Sequence, residues 1–197
     1  MNREKIRERR KARRRKDKRR RYIITAGIGL VVLALFGYLI WSNVRPAAGE
    51  EVPVMSDALD HVATGADPGP LNSDPPTSGP HYAQSFDPGF YRASDSEAKV
   101  DYPEGYLLHN LEHGYVIFWY NCTLVDEPAC ERLMGQIQSV MEGHSNKKLI
   151  AFPWRTTEHP LVMTTWGQKQ EFDRFDDELV QKFIRRNYQQ APEPNAP

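Results

Sequence analysis

The stretch "YLLHNLEHGYVIFWY", residues 106–120, carries two histidines four positions apart and then an unbroken apolar run. The run at 115–120 predicts a strand that is buried on both faces, because no polar residue alternates with the apolar ones. The segment before it fits either of two structures. The first is a helix over about 102–113, with Asp101 and Glu104 as a capping box. The second is an extended segment that begins the same strand. We favour the helix.

The local backbone decides what the two histidines can do. On a helix, side chains four positions apart share a face, so His109 and His113 can reach one metal ion. On a strand, about 13 Å would separate them and joint chelation would fail. His81 and, as an optional fourth member, His61 come from the preceding segment, and four imidazoles suit zinc or copper. We therefore predict a metal or ligand site at these histidines, with Glu112 as an orienting group or a further ligand.

The same residues admit two other functions. The order His-x-x-Glu-His matches the reversed zinc-peptidase motif, in which His109 and His113 bind zinc and Glu112 activates a bound water. Under this zinc-hydrolase alternative Glu112 is the catalytic residue. In the other alternative the protein is a non-catalytic envelope assembly subunit, whose histidines bond to loop carbonyls and whose partner is another envelope protein. The sequence favours a non-enzymatic role and leaves the ligand open.

An apolar segment near the N-terminus predicts a membrane anchor. Residues 22–41 carry no charged side chain, and a helix of about 20 residues spans about 30 Å, the hydrocarbon core of a bilayer. Residues 1–21 hold 14 Lys/Arg and three Asp/Glu. Because basic flanks stay in the cytoplasm, we expect residues 42–197 outside the cell membrane. A signal peptide cleaved near residues 47–48 is the alternative, although its apolar core is usually only about 7–15 residues long.

The basic segment at residues 1–21 suggests a partner of its own. Clustered basic residues attract either nucleic acid or the anionic headgroups of a membrane. No aromatic side chain interrupts the basic run, and the apolar segment follows it at once. We therefore expect the lipid bilayer and its anionic headgroups as partners, and no nucleic acid.

The rest of the sequence divides into a linker, a domain and a tail. Residues 42–53 are predicted as a linker, 54–188 as one extracytoplasmic domain and 189–197 as a disordered, Pro-rich tail. The first half of the domain is loop-rich, because proline and glycine are dense in it. The second half shows the periodicities of regular elements, which are strands at 115–120, 148–154 and 160–167 and helices at 127–143 and 175–188.

The order of these elements predicts the fold class. A strand–helix–strand unit forms a right-handed parallel crossover, and a hairpin of 148–154 with 160–167 adds an antiparallel strand. We expect an α+β or α/β domain with a small mixed sheet and two packed helices. Cys122 and Cys130 are too far apart for a CxxC redox motif, so we predict a structural disulfide, which persists outside the cytoplasm.

Two motifs together resemble a known family. "PPTSGPH", residues 75–81, and "HNLEHG", residues 109–114, are similar to the signature of a bacterial domain-of-unknown-function family, numbered three-one-zero-five. The resemblance covers about residues 52–188 and implies a short protein with an N-terminal membrane anchor and an extracytoplasmic domain. It implies no activity. The positions that carry it are Pro75, Pro76, Ser78, Gly79, His81, His109, Asn110, Glu112, His113 and Gly114.

Overall fold

The structure, a computed structural model, describes residues 3–43 and 47–196. The chain divides into two compact units, Met1–Pro46 and Ala47–Pro197. The division falls within the segment that the sequence predicts as a linker.

In the first unit, the described residues form one helix, α1 (Arg3–Asn43). Its segment Lys18–Tyr38 has 21 residues and a mean hydropathy of 1.7, so it is long and apolar enough to cross a membrane. A helix is the form that such a segment takes in lipid, because its backbone hydrogen bonds are all internal. The apolar side chains described within this segment are exposed, so they are not buried by other described residues of this unit.

The second unit is a mixed α/β domain, which confirms the predicted fold class. Its described residues form a sheet of six strands, a separate pair of short strands and three α-helices, which are the two predicted at 127–143 and 175–188 and the one favoured at about 102–113. In chain order the elements are β1 (Glu50–Glu51), β2 (His61–Val62), β3 (His81–Tyr82), β4 (Gly89–Phe90), a 3₁₀ helix (Glu97–Lys99), α2 (Glu104–Glu112), β5 (Val116–Tyr120), α3 (Glu127–Gly143), β6 (Leu149–Pro153), β7 (Leu161–Thr165), β8 (Gln168–Phe172) and α4 (Asp177–Asn187).

Strand β5 lies inside the sheet, and its neighbours explain why the whole run is apolar. In the order β1-β8-β7-β5-β6-β4, β5 is parallel to β6 and antiparallel to β7. Val116 and Phe118 pack into the core formed with α3 and α4. Ile117 and Trp119 point the other way, into the core formed with α2. Every residue of β5 is buried, which confirms a strand covered on both faces.

One predicted pairing is wrong, because the strands at 148–154 and 160–167 do not form a hairpin. β6 and β7 lie on opposite sides of β5, and β7 forms its hairpin with β8. The connection between β6 and β7 is too long for a tight turn. Asn121, just after β5, holds it by donating to the carbonyls of Arg155 and Thr157. The chain therefore crosses the end of β5 before β7 begins.

Strand β8 escapes prediction because its residues are mostly polar. Within it Phe172 is buried, while the other four side chains are half-buried or exposed. The β7–β8 hairpin instead depends on its turn, since Thr165 pairs with Gln168 across two residues. Gly167, the second residue of this turn, has a φ of 67°, a left-handed conformation that glycine adopts without steric cost.

Side-chain hydrogen bonds hold the loop-rich half of the domain. The Asn72 side chain accepts from the backbone N–H groups of Thr77 and Ser78 and donates to the carbonyl of Pro53. Asparagine is suited to this role because its amide both donates and accepts. These bonds fix the loop that leads directly into His81.

Residues 189–196 of the Pro-rich tail make hydrogen bonds with the domain, and the predicted disorder of this tail stays a prediction. The Lys148 ammonium group donates to the carbonyl of Pro194, and the backbone N–H of Glu193 donates to the carbonyl of Glu112. The tail has few apolar side chains to bury, which is why its composition suggested disorder. Its backbone carbonyls at Pro194 and Ala196 nevertheless accept hydrogen bonds from the buried Lys148, which needs no apolar side chain in the tail.

Cys122 and Cys130 lie at disulfide-bonding distance, with Cα atoms 5.3 Å apart, between the end of β5 and the first turn of α3. We expect the double substitution Cys122→Ser and Cys130→Ser to lower the free energy of unfolding by about 2–3 kcal/mol, because the unfolded chain regains a short loop. Urea unfolding measures this loss. A reductant should destabilise the wild type equally and leave the double variant unchanged. If the reductant leaves the urea midpoint of the wild type unchanged, the disulfide pairing is contradicted.

Candidate metal centre

Helix α2 presents His109 and Glu112 side by side. The helix confirms the structure favoured for this segment. Its N-cap is Pro103, and none of the described side chains caps it, so the predicted capping box is wrong. Residues three positions apart lie on one helical face, which places the imidazole and the carboxylate together. The helix ends at Glu112 with His113 as its C-cap, and Gly114 follows with a φ of 80°, so the chain turns at once towards β5.

Two short strands bring further histidines to this face. β2 and β3 pair in parallel, with His61 opposite His81. The backbone N–H of His81 donates to the carbonyl of Asp60, which fixes this register. The His81 ring is fully buried, and its Nδ1 lies 2.9 Å from the carbonyl oxygen of Gly79. The loop before β3 thus determines the orientation of the ring.

Gly105 determines how closely α2 approaches β3. A Cβ atom at this position would lie 2.4 Å from the ring of Tyr82, the residue after His81. The Tyr82 side chain is fully buried and has no solvent to move into. Glycine weakens a helix, and its presence here is explained by the need for close backbone approach. That approach brings His81 within reach of Glu112.

Replacing two helical glycines with alanine should change the stability of the domain in opposite directions. Gly105→Ala should lower the free energy of unfolding by about 1–3 kcal/mol, because the Tyr82 ring must move inside a packed core. Gly135→Ala, on the exposed side of α3, should raise it by about 1 kcal/mol, because alanine favours the helix and nothing lies within 4 Å of the added Cβ. Thermal unfolding of both variants measures the difference. A shift of the same sign in both would contradict the role given to Gly105.

Four side chains meet where α2, β2 and β3 come together. His61, His81, His109 and Glu112 each offer one ligand atom, and these atoms lie within 4.8 Å of one another. The centroids of the three imidazole rings are 5.0, 5.4 and 5.3 Å apart. Segments distant in sequence thus converge on one point, as the sequence predicts for His61, His81 and His109.

The Glu112 carboxylate lies close to all three imidazoles. Its Oε2 atom is 2.9 Å from Nε2 of His81 and 3.5 Å from Nδ1 of His109. Nε2 of His61 is farther, at 3.9 Å. Around a tetrahedral zinc ion with bonds of about 2.0–2.1 Å, ligand atoms lie about 3.3 Å apart. The three distances to Oε2 bracket this value, and no two of the four ligand atoms are more than 4.8 Å apart, so side-chain movements could place them around one ion.

His109 carries a buried ligand atom that lacks a hydrogen bond. Its Nδ1 has no hydrogen-bond partner among the described residues, although it points to the carboxylate. The pKa of His109 is lowered to about 4, chiefly by burial and then by the imidazoles of His113, His81 and His61. The ring is therefore neutral near pH 7 and keeps a lone pair. An unpaired buried polar atom costs about 1–3 kcal/mol, a cost that a bound ion would remove.

His81 and Glu112 require a positive charge between them. Nδ1–H of His81 donates to the carbonyl of Gly79, which leaves the lone pair of a neutral ring on Nε2. That atom faces the Glu112 carboxylate at 2.9 Å, and an ionised carboxylate can only accept. Two acceptors at this distance repel unless a cation lies between them. The cation is either a proton or a metal ion.

His113, included in the predicted ligand set, is not one of the four. Its ring centroid is 4.3 Å from that of His109, but its Nε2 lies 3.6 Å from the carboxylate of Glu193. Glu112 stands near the centre of the group instead. The reversed zinc-peptidase interpretation needs both helical histidines on the ion and a carboxylate that stands back to activate water. In the observed arrangement the carboxylate does not stand back, because its Oε2 lies 2.9 Å from Nε2 of His81 and 3.5 Å from Nδ1 of His109.

Comparison with known proteins agrees with the resemblance carried by the two motifs. Residues 70–197, well over half of the chain, match the family described as "Protein of unknown function (DUF3105)". The matched region contains His81, His109 and Glu112 and begins after His61. No curated protein and no solved structure matches the chain. The chain is therefore a member of the DUF3105 family.

Proposed function

We propose that the domain binds one transition-metal ion through His61, His81, His109 and Glu112. The observation that carries this proposal is the pair of acceptors, His81 Nε2 and Glu112 Oε2, which face each other at 2.9 Å in a buried position. The unpaired Nδ1 of His109 points to the same place. A single ion satisfies all of these atoms at once, whereas a proton between His81 and Glu112 leaves His109 unpaired.

The donor set selects the class of ion. Three imidazole nitrogens and one carboxylate oxygen suit zinc and copper, whereas calcium and magnesium require mostly oxygen donors. Four protein ligands complete the tetrahedral shell typical of structural zinc sites. Zinc or copper is therefore the proposed ion, and its role is to hold the protein's own segments together.

The ion would join two short strands to a helix through side chains. His61 and His81 belong to the two-residue strands β2 and β3, and His109 and Glu112 belong to α2. Because a metal site rarely exists in the unfolded chain, the free energy of metal binding becomes free energy of folding. The ion would thus strengthen an attachment to α2 that the loop-rich half of the domain already has through Tyr82 and through the hydrogen bonds of Phe86 with Asn110.

Titration of the full-length chain in detergent tests the proposal. Zn²⁺ and Cu²⁺ added after treatment with a chelator should bind with one equivalent per chain. His109→Ala should lose this binding, and His113→Ala, a neighbouring histidine outside the four, should keep it. A wild type that binds neither ion would refute the metal site and favour the non-catalytic assembly subunit, with a proton between His81 and Glu112.

We further propose that α1 anchors the protein in the cell membrane, with residues 1–21 in the cytoplasm and the domain outside. The apolar segment Lys18–Tyr38 supports the span, and the 14 Lys/Arg among residues 1–21 support the orientation. The partner proposed for this basic segment is anionic lipid, at about 1 kcal/mol per basic residue near the surface.

Epitope tags at the two termini test the orientation. Protease added outside intact cells should remove the C-terminal tag and spare the N-terminal one. Replacing the arginines of residues 1–21 with glutamine should weaken this preference, because basic residues near the span determine it. Protection of the C-terminal tag in the wild type would contradict the proposed orientation.

A further inference from the structure

His61 differs from the other three members of the proposed metal site in its exposure to solvent. Its side chain is 47% exposed, whereas those of His81, His109 and Glu112 are 0%, 11% and 6% exposed. Its Nε2 is also the atom farthest from the carboxylate, at 3.9 Å. The group therefore consists of three enclosed donors and one donor at the surface.

The segment that carries His61 is also the least enclosed of those that build the site. β2 has two residues, and its ladder pairing is with β3. Just beyond it, Thr64 makes an exposed hydrogen bond to Gln84, and a Cβ added at Gly65 would meet nothing within 4 Å. By contrast, α2 is packed into the core formed with Ile117 and Trp119. A movement of His61 would therefore disturb few contacts.

We propose that His61 is the exchange ligand of this site, so that the ion enters and leaves on the side that His61 covers. This inference rests on the metal site proposed above. His81, His109 and Glu112 are the three buried ligands, which hold the ion on its inner side. His61 closes the outer side as the fourth ligand.

Release then proceeds by ligand substitution. An incoming donor, such as an imidazole or a chelator amine, forms a bond to the ion with its own lone pair as the bond from His61 Nε2 breaks. The His61 ring leaves as a neutral imidazole, and no electron or proton has to be transferred. The same step in reverse loads the site. A donor molecule reaches the ion here because the other three ligands are enclosed by the fold.

Zinc release from the full-length chain in detergent tests this role. The zinc-loaded protein is mixed with excess EDTA, and the release rate is followed by stopped flow. His61→Ala should still bind one zinc ion but release it at least about tenfold faster, because differences in affinity arise mainly from dissociation rates. Thr64→Ala, a matched change in the same exposed segment, should release zinc at the wild-type rate.

Added imidazole separates the exchange ligand from an enclosed one. Free imidazole should slow zinc release from His61→Ala towards the wild-type rate, because it can occupy the open outer position. It should not restore zinc binding to His81→Ala, whose cavity is fully enclosed. Unchanged release from His61→Ala would overturn the inference. So would a complete loss of zinc binding that imidazole does not restore, since His61 would then equal the enclosed ligands. A wild type that binds no zinc would instead overturn the metal site itself.

Discussion

Replacing His81 with alanine is expected to weaken zinc or copper binding by about a hundredfold or more. Structural zinc sites with four ligands contribute about 10–16 kcal/mol, so one ligand accounts for about 3 kcal/mol, or about a hundredfold in affinity. His81 is the ligand whose loss should cost most, because it is fully buried and oriented by Gly79. Its removal also leaves the Glu112 carboxylate buried without its closest partner.

The melting temperature with and without zinc separates metal binding from simple loss of stability. Wild-type protein should melt at a higher temperature when zinc is added, since a ligand that binds the folded state stabilises it. His81→Ala should melt at one temperature whether or not zinc is present. His113→Ala should retain the zinc-dependent increase. An equal increase in His81→Ala and the wild type would show that the ion binds elsewhere.

Without metal, the protein should lose stability as the pH falls from about 6.5 towards 4. The pKa of His109 is lowered to about 4 in the folded chain, chiefly by burial, whereas an exposed histidine titrates near about 6.5. Between these values the unfolded chain binds a proton that the folded chain does not, so acid favours unfolding. The full effect of this one group is about 3 kcal/mol. Above about pH 6.5 both states are neutral at His109 and the contribution is constant.

Urea unfolding at a series of pH values, with a chelator present, measures this dependence. His109→Gln removes the titrating ring and should flatten the curve between about pH 4 and 6.5 relative to the wild type. His144→Gln, at a histidine that bonds to Gln181 far from the site, should leave the slope unchanged. A wild type and His109→Gln with the same slope would contradict a buried, neutral His109.

The local sequence pattern predicted the positions of helices and strands better than it predicted which strands pair in the sheet. Val116–Tyr120 and Glu127–Gly143 follow from apolar runs and helical periodicity, which act over a few residues. The position of β7 beside β5 depends on Asn121 and the chain it holds, a contact between segments far apart in sequence. The polar strand β8 is determined by its turn and its neighbour, and its own residues give no apolar signal.

The convergence of imidazoles was predictable from the sequence, but the position of Glu112 among them was not. Helical spacing places both Glu112 and His113 near the face of His109, because residues three or four positions apart lie on the same side of a helix. Which of them faces His81 depends on where β3 lies, and Gly105 determines that through the Tyr82 ring. The helical pattern alone carries no information about this contact.

An anomalous difference map from crystals of the zinc-loaded protein tests the central claim most directly. The map should show one peak within about 2.0–2.2 Å of nitrogen atoms on His61, His81 and His109 and of a Glu112 oxygen. The ring of His113 should lie outside bonding distance. The proposed centre would be contradicted if no peak appears at this group. It would also be contradicted if the peak lies within bonding distance of His113 while Glu112 lies outside bonding distance.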